Sequence, residues 1–176
     1  KVPALLALTR FLLLDPAPDR AKDALGAMDR LFGIGFERDS STGNVTLTVD
    51  PDGSNEEGNF RSAERGMLLA RAGSELKDPP ASEEPARPPL VRRLWDALAI
   101  AAETGDVEPH GFASRCYIPY FAALHAAGQL DAAVYVALRA SGEPAVKDWL
   151  AAHEADVKAF RAFSEGFAWP KPSVGP

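Results

Sequence analysis

Glu103-x-x-Asp106-x-Glu108-x-His110 gathers three carboxylates and an imidazole in one short stretch between two helical segments. Carboxylates joined by one imidazole make a donor set for a divalent ion, so these four residues are the metal-ligating candidates. The competing reading is an acidic, solvated connection, because exposed charge is the norm in loops between helices. His110, which follows Pro109, stands or falls with that loop. Cys116 and His125 have the residue types of a thiol nucleophile and its base. Nine positions apart on one helix, they point about 180° away from each other and cannot meet unless Pro119 breaks the helix. As the single cysteine, Cys116 reads as a small core residue and excludes an internal disulfide.

The acidic spacing Asp50-x-Asp52-Gly53-x-Asn55 offers oxygen ligands of the kind that hold calcium. Its sixth position is Asn55 rather than glycine, however, and its twelfth is Arg61 rather than glutamate. A turn at Asp50–Gly53 leading into a capping box at Ser54-Asn55-Glu56-Glu57 accounts for these residues better. His153 beside Glu154 falls near a helix end, where an imidazole commonly satisfies carbonyl groups. There is no Walker loop, dinucleotide fingerprint, G-x-S-x-G elbow or H-E-x-x-H pair. No cofactor is expected.

The elements that must position these residues belong to an ordinary globular chain of 176 residues, 46% hydrophobic and 25% charged, with a net charge of −6. Up to Lys77 there are 10 basic and 12 acidic residues, and 9 and 13 afterwards. Neither half supplies the concentrated positive face that nucleic acid or anionic lipid requires. Residues 2–14 are apolar but interrupted by Arg10 and too short to cross a bilayer, so a buried helix is expected and no membrane span. The chain opens on Lys1 rather than methionine. A preceding segment is therefore expected, and the location is left between the cytoplasm and, after leader removal, the periplasm or exterior.

Helical periodicity runs through Ala4–Leu14. It resumes in a second helix capped by Asp15 or Asp19, with Ala21, Leu25, Met28 and Phe32 inward, and stops at Gly33. Alternation in Asn44–Val49, with Val45, Leu47 and Val49 inward, pairs with Ile34/Phe36 as a β-hairpin near residues 34–49. A third helix starts from the capping box and carries Phe60, Ala63, Met67 and Ala70 to about Leu76. Residues 78–89, with five prolines and three acids, read as a linker or surface arm. Further helices follow at Leu90–Thr104, at Phe112–Ala127 around Pro119, and from Asp131 to Ala140. One long helix or two cover Ala145–Phe167, with His153–Asp156 as the joint. The organisation is thus a helical segment with a hairpin (1–77), an arm (78–89), a helical-hairpin segment (90–169) and a loose tail (170–176), or else one compact domain.

The stretch from Tyr117 to Ala133 (YIPYFAALHAAGQLDAA) resembles a tetratricopeptide-type helical hairpin. Tyr117, Leu124, Gly128, Ala133 and Ala140 stand at the family's offsets, and Phe121 and Ala137 depart from its pattern. Leu13–Pro16 and Leu150–Asp156 with Phe160 resemble junctions between such hairpins. The resemblance implies a mainly α fold of stacked antiparallel helix pairs, decorated here by the β-hairpin. It also implies a non-enzymatic scaffold that binds a protein or peptide in the hollow lined by the first helix of each pair, here Arg115, Ile118, Ala122 and His125. Ile118 and Ala122 stand where the carboxylate-gripping members of that family carry polar residues, which speaks against recognition of a C-terminal carboxylate. The alternative function is an enzyme or small-ligand or metal-binding domain with its polar site around Glu103–His110.

Overall fold

The computed structural model describes residues 1–14, 17–39, 41–49, 54–55, 57–77, 87–103 and 111–170. Its elements in chain order are α1 (Val2–Leu13), α2 (Pro18–Gly33), β1 (Phe36–Arg38), β2 (Val45–Leu47), β3 (Ser54–Asn55), β4 (Gly58–Asn59), α3 (Arg61–Lys77) and α4 (Arg87–Glu103). A π turn at Ala113–Tyr117 leads into α5 (Ile118–Ala126). Next come α6 (Leu130–Ala137) with a 3₁₀ turn at Leu138–Ala140, α7 (Pro144–Ala152) and α8 (Glu154–Gly166). The fold is mainly α with a small antiparallel hairpin, as the periodicity of the sequence leads one to expect.

Burial explains the order of the layers. Residues Leu130–Ala137 are apolar almost all round, and a helix of that kind must be covered on every side. Accordingly α6 buries Leu130, Ala132, Ala133, Val134, Val136 and Ala137 and lies against α1, α4 and α8. α1 buries Val2, Leu5, Leu6, Thr9 and Leu12, and turns its small Ala4 and Ala7 outward. α4 contributes Val91, Leu94, Trp95 and Leu98, with the Trp95 ring edge-on to Phe121 of α5 at 5.6 Å. α3 lies along α4 as the most extensively packed pair, and Gly66 makes this possible. A Cβ there would stand 3.2 Å from the Cβ of Ala97. One hydrophobic core therefore runs through residues of both the 1–77 and the 90–169 segments.

The hairpin pairs Phe36 with Leu47, Glu37 with Thr46 and Arg38 with Val45. Thr46 and Thr48 face outward as expected, while Phe36, Val45, Leu47 and Val49 are only half-buried. Ile34 lies in the turn before β1 and is exposed, because α2 runs to Gly33 and Gly35 reverses the chain at φ 82°. Side chains of the helices hold the hairpin down. The Arg71 guanidinium stands 4.6 Å over the Phe36 ring, and Lys1 Nζ donates to the Ile34 carbonyl at 2.9 Å while pairing with Glu64 at 3.3 Å.

Several local expectations are corrected. Ser54 and Asn55 do not open a helix. They pair with Asn59 and Gly58 in a second short ladder, and α3 begins at Arg61, whose N–H donates to Asn59 Oδ1 at 3.1 Å. Glu57 is used at long range instead: its Oε2 accepts the Ala113 N–H at 2.7 Å, at the start of the π turn. α2 has no side-chain cap; Asp19 lies in its first turn and Asp15 is outside the described residues. Asp131 lies inside the first turn of α6 without capping it. Arg87-Pro88-Pro89 belong to α4 rather than to the arm, since proline is tolerated where a helix has no internal N–H partner.

Pro119 is accommodated by a change of helix type. Ile118 N–H reaches back to the Ala113 carbonyl, closing a π turn, and Pro119 then enters the first turn of α5. At the other end Gly128, at φ 64°, closes α5 with Gly128 N–H to His125 O (2.9 Å) and Gln129 N–H to Leu124 O (2.9 Å), a Schellman pair. From Ala113–Ala126 to Leu130–Ala140 the path turns by 120°. Of the two forms the sequence allows for the last apolar stretch, one long helix or two, the structure has two, jointed at His153. No single helix among the described residues is long and apolar enough to cross a membrane.

Candidate functional site

Of the metal-ligating candidates, Glu103 ends α4, while Asp106, Glu108 and His110 fall outside the described residues, as does the turn Asp50–Gly53. Among the described residues no three His, Cys, Asp or Glu side chains converge as a metal site would require. Cys116 is buried. The four residues expected to line a binding hollow take different positions. Arg115 is exposed with its Nε donating to the Gly111 carbonyl at 3.3 Å, and Ile118 packs in the core at 8% exposure. Ala122 and His125 are half-buried, with His125 Nε2 3.7 Å from Asp96 Oδ1 on α4. Ile118 is unavailable to a partner in this arrangement.

A polar knot that sequence reading missed ties α1, α5 and α8 together. Tyr120 is completely buried, and its hydroxyl lies 2.9 Å from Ser164 Oγ of α8. Arg10 of α1 reaches the same serine at 3.4 Å, and its guanidinium stands 4.4 Å over the Trp169 ring and 5.5 Å from that of Tyr120. Phe167 and Trp169 close over Tyr120, with ring centroids at 5.0 and 4.8 Å. Burial pushes the Tyr120 phenol above its usual pKa of 10.0, against the opposing effects of the Ser164 hydrogen bond and the Arg10 charge. The knot fixes α8 against the C-terminal half of α1.

Fixing α8 there leaves a groove between it and α6. One part, about 350 Å³, is lined by Val136 and Arg139 on one wall and by Leu150, Val157, Lys158 and Arg161 on the other, with Glu154 at its end. The adjoining part, about 340 Å³, shares Val136, Arg139 and Arg161 and adds Arg10, Leu13, Leu14, Phe160, Ser164 and Glu165. The floor is apolar and the rim charged. Leu14, at the end of α1, is 61% exposed on this groove. Arg139 is held as part of the wall, since its Nη1 donates to the carbonyls of Leu12 at 3.0 Å and Val136 at 2.6 Å, where the α1 and α6 helices end. Lys158 and Arg161 are exposed on successive turns of α8, with Glu154 and Glu165 beyond them at either end.

On the other side of α6 and α7 lies a cavity of about 390 Å³ lined by Gln129, Asp131, Tyr135, Trp149, His153 and Asp156 among others. Its wall is a stack in which Trp149 lies between Tyr135 (4.1 Å) and His153 (4.2 Å), both parallel to it within 4°. Asp131 is already committed to Arg92, at 2.6 Å from Nε, and Arg92 also pairs with Asp96. Partial burial opposes the Arg92 charge, and the two carboxylates more than offset this, raising its pKa. With both faces of Trp149 covered and one acid engaged, this cavity offers a ligand less than the groove does. Arg115, Ile118, Ala122 and His125 line none of the three cavities. Comparison with family models, curated proteins and solved structures finds no match to this chain.

Proposed function

We propose that this chain is a non-enzymatic protein-interaction module, a helix stack with helix pairs resembling tetratricopeptide units, which receives a segment of a partner protein in the groove between α6 and α8. The observation that carries this reading is the groove's apolar floor, continuous from Leu14 and Leu13 past Val136 to Val157 and Leu150, within a charged rim. An apolar centre within a polar rim is the anatomy of a protein interface. The groove is open along its length and lacks convergent nucleophiles, acids or metal ligands, which favours recognition over chemistry. The partner surface is assigned here rather than to Arg115, Ile118, Ala122 and His125, because the groove presents exposed Leu14, Lys158 and Arg161 beside half-buried Leu13, Leu150 and Val157, whereas Ile118 is covered.

Affinity capture from the native lysate tests the proposal. Wild type and a Leu69→Ser control, altered at a leucine that is 64% exposed away from the groove, are expected to retain the same protein, and Val157→Asp to lose it. Equal capture by Val157→Asp would overturn the assignment.

A further inference from the structure

The charge pattern of the groove says what kind of segment fits it, on the premise that the groove is a protein-binding surface. The chain carries a net charge of −6, yet Arg10, Arg139, Lys158 and Arg161 all line the groove, against Glu154 and Glu165. The lining is therefore net basic on an acidic molecule. Arg139 and Arg161 are shared by the two depressions, but Arg139 gives its Nη1 to the Leu12 and Val136 carbonyls and its Nη2 is buried, so a carboxylate seated between the depressions meets the exposed Arg161 and Lys158 of α8. Lys158 and Arg161 make no ion pair among the described residues, and an incoming acid would not have to displace an existing partner.

The spacing of the depressions suggests the form of the occupant. On α8 the first is lined by Glu154, Val157, Lys158 and Arg161, and the second by Phe160, Arg161, Ser164 and Glu165. Their midpoints differ by about five residues, about 7.5 Å at the helical rise of about 1.5 Å per residue. Side chains four apart on a docked helix are separated by about 6 Å along its axis, close to that spacing. We infer that the occupant is an acidic amphipathic helix of a partner protein, which sets two apolar side chains about one turn apart into the two depressions and a carboxylate against Lys158 and Arg161.

The test uses the full chain and a fluorescent 16-residue helical peptide carrying leucines at i and i+4 flanked by glutamates, with a second peptide in which lysine replaces every glutamate. Anisotropy titration is expected to show saturable binding of the acidic peptide, weakening as salt rises, and none of the basic one. Lys158→Glu/Arg161→Glu is expected to lower affinity for the acidic peptide about tenfold or more and to gain binding of the basic peptide. Both side chains are exposed, so the variant's thermal melt is expected to match wild type. Failure of the acidic peptide to bind, or equal binding of both peptides, overturns the inference. So does binding of anionic phospholipid vesicles or a fatty acid that the charge reversal abolishes while the peptides stay unbound, since that outcome assigns the groove to a lipid. If lysate capture is lost in Val157→Asp while the acidic peptide fails, only the occupant is wrong. If both fail, the interaction reading falls with it.

Discussion

The contact between the Tyr120 hydroxyl and Ser164 Oγ at 2.9 Å is the polar tie that holds α8 where it forms the groove wall, and it makes an asymmetric prediction. A buried hydrogen bond of this kind contributes about 0.5–1.5 kcal/mol net, whereas stranding a buried donor costs about 1–3 kcal/mol. Tyr120→Phe leaves Ser164 still within reach of Arg10 at 3.4 Å, so its expected cost is about 1 kcal/mol. Ser164→Ala leaves the O–H of a completely buried tyrosine without its acceptor, since Arg10 can only donate to that oxygen, and is expected to cost more, about 2 kcal/mol. Since both remove the same bond, the double variant is expected to lose less than the sum, with a coupling of about 1 kcal/mol. Urea unfolding measures all three, and for a chain of this size about 1 kcal/mol corresponds to about 2–4 °C in melting temperature. Strict additivity, or Tyr120→Phe costing more than Ser164→Ala, would refute the assigned geometry. The raised pKa of Tyr120 adds a pH signature. A group that holds its proton more tightly when folded stabilises below its unfolded pKa of 10.0 and loses that contribution as pH rises through the folded value. The alkaline loss of stability is accordingly expected to be smaller in Tyr120→Phe.

Other expectations follow from particular contacts. Gly66→Val places branched carbons against Ala97, where a single Cβ already stands at 3.2 Å, and is expected to lower stability by about 1–3 kcal/mol in a thermal melt. Gly35→Ala puts a Cβ onto the Thr48 carbonyl at a φ of 82°, so the amide cross-peaks of β1 and β2 are expected to shift or broaden while those of α6 stay in place. Asp39 accepts from Ser41 Oγ (2.6 Å), Ser41 N–H (2.8 Å) and Thr42 N–H (3.2 Å), which draws its pKa from 3.8 to about 2. The carboxylate therefore tightens the hairpin turn above about pH 4, and that contribution is lost as the pH falls towards 2; a carboxyl carbon titrating at 3.8 in NMR would contradict it.

The helices were legible in the sequence because their apolar positions recur at helical spacing in almost every segment, whereas the periodicity from Ala145 to Phe167 fits one helix or two and leaves the joint at His153 to the structure. The hairpin was legible from alternation alone. Ser54–Glu57 misled because a serine and glutamate three residues apart serve a helix cap or a turn equally well, and Glu57 finds its partner 56 residues away, at Ala113. Pro119 signalled a disturbance without its form, since the choice between a kink and a π turn depends on which carbonyl remains within reach of Ile118. The groove was hidden for a different reason. Its walls come from α1, α6, α7 and α8, and in sequence Lys158 and Arg161 look like any solvated helix face. Only the packing of these helices brings Leu14, Val136, Leu150 and Val157 to one groove.

Site-specific photocross-linking measures the central assignment most directly. With a benzophenone side chain placed singly at Leu14, Val157, Leu69 or Ile100, the first two positions lie on the groove and the last two are exposed elsewhere, at 64% and 51%. Irradiation in the native lysate is expected to yield the same adduct from positions 14 and 157 and none from 69 or 100. An adduct from position 69 or 100 with none from 14 or 157 would place the partner on another face and contradict the groove as its binding surface.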